Sequence, residues 1–109
     1  MSDGFRDREK SFEAKWAHDE ELRFKVMARR NKLLGLWAAE LMGLNGAAAD
    51  AYARTVIQAD FQEAGDDDVL RKVKGDFERE AVSQSAAAIR ARMEELLSVA
   101  AGQVMKEVK

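Results

Sequence analysis

Leu33-Leu34-Gly35-Leu36-Trp37-Ala38-Ala39-Glu40-Leu41-Met42-Gly43-Leu44-Asn45-Gly46-Ala47-Ala48-Ala49-Asp50-Ala51-Tyr52-Ala53-Arg54-Thr55-Val56-Ile57 decides the fold class. On both sides of its glycine pair stand residues that lose little on entering a helix. Gly43 and Gly46 bracket a natural stop, because glycine takes the left-handed backbone that ends a helix. Before the stop, Leu22, Val26, Leu33, Trp37 and Leu44 share one face, joined by Leu34, Leu36 and Leu41. That apolar arc widens after residue 32, as a helix entering a core requires. After the stop, Tyr52, Val56, Ile57 and Phe61 cover much of the circumference and call for neighbours on two sides. So short a link makes the two helices antiparallel neighbours.

Working outward, proline is absent and no stretch alternates at period two for long enough to make a strand. The class is all-α. Gly65-Asp66-Asp67-Asp68 marks a second break, with acids suited to the positive end of the next helix. Asp19, after His18, is a softer boundary. Four helices are predicted near 4–17, 20–43, 47–64 and 67–106, forming a four-helix bundle in a single domain over 1–109. The last carries two apolar stripes. Val69, Leu70, Val73, Phe77 and Ala81 make the first, and Val82, Ala86, Ile89, Met93, Leu97, Ala100 and Val104 the second. They lie on different faces, so the long C-terminal helix is expected to bend or break near Ser83–Ser85. Gly35, Gly75 and Gly102 fall inside helices, where they are expected to allow close packing.

The chemical inventory argues against an enzyme. There is no cysteine, so no disulfide framework and no thiol nucleophile. His18 is the one histidine and reads as a solvated helix-end residue. Asp66-Asp67-Asp68 lacks the spacing of a calcium loop, and no phosphate-cradling glycine loop is present, so neither a metal nor a catalytic residue is expected. The N-terminus carries charge where an export signal needs an apolar run. The net charge of −2 hides local blocks. Residues 47–68 are strongly acidic. Residues 20–32 hold Arg23, Lys25, Arg29, Arg30 and Lys32 against Glu20 and Glu21. Such blocks serve either as solvated faces or as a patterned partner surface. Arg29, Arg30 and Lys32 are weak candidates for contact with a nucleotide or phosphate.

The first eighteen residues are the most informative. Phe5, Phe12 and Trp16 lie within about 40° of one another on a helical wheel, on a rod otherwise made of charges. One reading docks this seam on the chain's own bundle. The other sends it into a partner's cleft, with residues 1–18 a mobile segment and 19–109 the bundle.

Ala28-Arg29-Arg30-Asn31-Lys32-Leu33-Leu34-Gly35-Leu36-Trp37-Ala38-Ala39-Glu40-Leu41 resembles the signature of the zeta subunit, the ATPase inhibitor of alphaproteobacterial F-type ATP synthases. Ala59-Asp60-Phe61-Gln62-Glu63-Ala64-Gly65-Asp66-Asp67-Asp68-Val69 is similar to that family's second block, and Phe5-Arg6-Asp7-Arg8-Glu9-Lys10 to its N-terminal region. The resemblance implies a mobile N-terminal segment that becomes helical as it inserts between an alpha and a catalytic beta subunit, near gamma. It implies Phe5, Arg8 and Glu9 as inhibitory contacts, and with Phe12 and Trp16 of the seam and the neighbouring Glu13 they make up the expected partner-binding set. It further implies no cofactor beyond weak binding of adenine nucleotide. The partners are then the synthase's alpha, beta and gamma subunits, with no nucleic acid and no direct membrane insertion. The free chain is expected to be monomeric and cytoplasmic, held at the inner face of the membrane through the synthase. Two rival readings are a helical nucleic-acid-binding regulator using the Arg29/Arg30 face, and an assembly or scaffold protein without inhibitory activity.

Overall fold

Asp19 has extended backbone, and its side chain accepts a hydrogen bond from the Leu22 amide at 3.0 Å, starting helix α1 over Glu20–Leu41. Glu20 and Glu21 in the first turn suit its positive end. The helix closes on Gly43 at φ +79°, where Leu44 N–H donates to Ala39 O at 2.8 Å and Gly43 N–H to Glu40 O at 3.1 Å. These bonds satisfy carbonyls that the helix end would leave orphaned. Helix α2 spans Gly46–Ala59, α3 Asp67–Arg79 and α4 Ala86–Glu107. This computed structural model describes residues 16–60 and 65–107.

The expected break in the last helix is present, and it is complete. Residues 82–85 are non-helical, and Ala81 takes a left-handed φ of +58°. Val82 N–H donates to Phe77 O at 2.8 Å and Ala81 N–H to Glu78 O at 3.3 Å, repeating the closure seen at Gly43. Ser85 then caps α4, its Oγ accepting from the Ala88 amide at 3.0 Å. The partition therefore differs from the predicted one. The single helix over 67–106 is two helices, while the helix predicted over 4–17 lies outside the described residues except for Trp16 and Ala17. Helix α2 is also shorter than expected, since Asp60 already sits in a turn.

Helix α1 is the spine, packing mainly on α2 and α4. Two buried clusters lie along it. Leu34, Ala38, Val56, Val69, Val73, Phe77, Ile89 and Met93 form the first, drawn from all four helices. Val26, Ala100, Ala101 and Val104 form the second, together with Trp16. Rising positions on α1 meet falling positions on α4, so these two helices run antiparallel. Gly35 explains how closely α1 approaches α2. A Cβ there would stand 2.6 Å from Ala53 Cα. The same expectation fails at the other two glycines. Among the described residues, a Cβ on Gly75 meets only the Arg79 side chain at 3.7 Å, and one on Gly102 meets nothing within 4 Å.

Candidate functional site

Trp16 is the first described residue, and it is only 6% exposed. It packs against Val26 of α1 and Ala100, Ala101 and Val104 of α4, where two adjacent alanines leave room for an indole. Its Nε1 finds no hydrogen-bond partner among the described residues. Trp16, which one reading sends to a partner with the rest of the aromatic seam, lies here against the chain's own core. A large apolar ring gains more from permanent burial than from waiting in water. Phe5, Arg8, Glu9, Phe12 and Glu13 lie outside the described residues.

The three bases read as one phosphate cluster are separated. Arg30 points inward and is 1% exposed. Its Nη2 donates to Asp66 Oδ1 at 2.8 Å and its Nε to Asn31 Oδ1 at 2.7 Å. A guanidinium so enclosed needs its paired carboxylate, because an unpaired buried charge is costly. Arg30, one of the three weak candidates for phosphate contact, thus lies inside the fold with its charge paired to Asp66. Asp60 shares this cluster, and burial pushes its carboxyl pKa up, opposed by the nearby Asn31 amide and Arg30 and reinforced by Asp68 and Asp66. The Asp66-Asp67-Asp68 run thus does more than favour the start of α3: Asp66 holds the arginine that ties α1 to the turn before it. Among the described residues no group of acids and histidines could hold a metal ion.

Arg29 points the other way. It donates from Nη1 to Gln103 Oε1 at 2.8 Å and from Nη2 to Glu107 Oε1 at 2.7 Å, clasping the end of α4 to α1. Lys32 is exposed and makes no ion pair among the described residues. Arg29 and Lys32 line an open cleft of about 480 Å³ with Phe24, Lys25, Val104 and Glu107. Arg30 is thus withdrawn from the basic face that the nucleic-acid reading uses, and Arg29 is engaged by Glu107. Sequence reasoning missed Glu107 and Gln103, whose partner lies more than seventy residues away. It also passed over Phe24, a large apolar side chain 56% exposed among bases, which was the available signal.

A second polar cluster centres on Asp76, 8% exposed, which accepts from Tyr52 at 2.7 Å, from Lys72 at 2.9 Å and from Arg79. It joins α2 to α3. No described helix is long and apolar enough to cross a membrane.

Residues 1–103 match the model of a family described as ATPase inhibitor subunit zeta. A chain solved by solution NMR is 50% identical, superposes with a TM-score of 0.71, and aligns over 79% of this chain and 98% of its own length. No curated protein matches.

Proposed function

Since the chain belongs to the ATPase inhibitor subunit zeta family, we propose that it is a non-catalytic inhibitor of an F-type ATP synthase acting through its N-terminal segment. The observation that carries this reading is the extent of the family match, which begins at residue 1 and so includes the aromatic and charged rod. Phe5 and Phe12 anchor that rod in an interface between an alpha and a catalytic beta subunit, near gamma, while Arg8, Glu9 and Glu13 pair at its rim. The wedge holds one catalytic interface and stalls rotation in the hydrolytic direction. Trp16, seated in the bundle, marks the junction between wedge and support. The chain works at the inner face of the membrane through the synthase it binds.

Ordering a rod of fifteen residues costs roughly 1–2 kcal/mol of backbone entropy per residue, so the partner must enclose the anchors well. Truncating one anchor should then remove about 2 kcal/mol or more of binding, roughly thirtyfold in affinity. The test is ATP hydrolysis by purified synthase titrated with the full chain and with Phe5→Ala/Phe12→Ala. The double variant should need a far higher concentration for half-inhibition while its helical circular dichroism is retained. Inhibition equal to that of the wild type would sink the wedge.

A further inference from the structure

We propose that the cleft between α1 and the C-terminal end of α4 is a second docking surface, for an acidic segment of the synthase that carries an apolar side chain beside its carboxylate. The inference rests on the functional reading above for the partner's identity, and on the cleft for its chemistry. Of the five bases in residues 20–32, Arg30 is consumed inside the fold, whereas Lys25, Arg29 and Lys32 line the cleft. One carboxylate already lies among them: Glu107 accepts from Arg29 Nη2 at 2.7 Å. The three bases together hold its carboxyl pKa below the usual range, the Arg29 hydrogen bond first and the charges of Lys32 and Lys25 adding to it. The chain thus shows on itself what this cleft binds, and one acid leaves positive charge in surplus. Lys25 has only the exposed Glu21 at 3.3 Å, and Lys32 has no ion pair among the described residues.

The apolar half of the site comes from Phe24, with Val104 beneath it at the floor of the cleft. Phe24 stands 56% exposed at the wall, and Val104, 2% exposed, belongs both to the cleft lining and to the cluster that seats Trp16. Aromatic and arginine side chains side by side are the usual anchors of a protein interface. The shared Val104 places the cleft beside the point where the N-terminal segment joins the bundle. A synthase that has taken that segment therefore stands within reach, and an acidic patch on it meets the bases at short range. Contacts of this kind mainly accelerate association and make it sensitive to salt.

The experiment measures binding and hydrolysis separately, using the full chain labelled for fluorescence anisotropy and intact purified synthase. Lys25→Glu/Lys32→Glu should weaken binding about tenfold at low salt and Phe24→Ala severalfold, with thermal melts close to the wild type. Glu107→Gln, which removes the resident charge, should tighten binding roughly threefold. Wild-type affinity should fall as salt rises from about 0.05 to 0.2 M. Unchanged affinity in the double lysine variant together with salt-independent binding overturns the docking surface, while inhibition by the wild type would leave the functional reading standing. Salt- and lysine-dependent binding without inhibition would do the reverse. Failure of the wild type to bind synthase overturns both. Retention of the wild type on polyphosphate, lost in the lysine variant while synthase binding is unaffected, assigns the cleft to phosphate and overturns the protein partner.

Discussion

Tyr52 is half-buried against α3, its hydroxyl donating to Asp76 Oδ2 at 2.7 Å and Lys72 Nζ standing 5.2 Å from the ring centroid. Burial pushes its phenol pKa up from 10 to about 12, against a smaller downward pull from the Arg79 charge. The folded pKa is raised above the unfolded one. The neutral phenol's share of stability is therefore whole below pH 10 and is lost as pH climbs through 12. Tyr52 is the only tyrosine, so its ionisation is read directly from absorbance near 295 nm. The titration should centre near pH 12 in the folded chain and near pH 10 in urea, and equal midpoints would place the ring in solvent. None of this could be read from the sequence, which marks Tyr52 as apolar but says nothing of Asp76 across the interface. Arg29 and Arg30 show the same limit. They are identical in type and adjacent, yet one step of about 100° along the helix sends one to Glu107 and the other inside.

At the scale of elements, periodicity carried further than local signals. The shift of apolar phase between Phe77 and Ala86 correctly required two directions of packing, and α3 and α4 supply them. The serines drew the expected break to residues 83–85, but Ser85 caps the helix that follows. The helix that precedes closes on Ala81, an alanine in a position that suits glycine, and composition gives no hint of it. A left-handed alanine costs about 1–2 kcal/mol, part of which glycine returns through its freer unfolded chain. Ala81→Gly should thus stabilise the chain by about 0.5–1 kcal/mol, raising the melting temperature by a few degrees. Thermal unfolding followed by circular dichroism checks this, and a lower melting temperature would mean that the turn holds no strain. The glycines divide similarly: Gly35 faces Ala53 across a contact, while Gly75 and Gly102 meet little, and helical position alone did not separate them.

For the whole molecule, the all-α class and the α1–α2 hairpin were legible because both are written in neighbouring residues. The second core was out of reach because it joins Trp16 to Ala100, Ala101 and Val104, more than eighty positions away. This core sits at one end of α1, while the cluster around Phe77 occupies the other, so the bundle should not loosen uniformly. Trp16→Ala leaves a cavity between α1 and α4 where little can collapse, at a cost of about 3 kcal/mol or more. Hydrogen exchange of the full chain should therefore show protection falling in residues 97–105 and 22–29. Amides of residues 69–77, held by the first core, should keep most of theirs. The Arg29 clasp on Gln103 and Glu107 would be strained in the variant, since the helix end it holds has lost its floor. If the loss of the indole instead leaves residues 97–105 as protected as before, the second core does not depend on Trp16. The whole aromatic seam would then be available to the synthase.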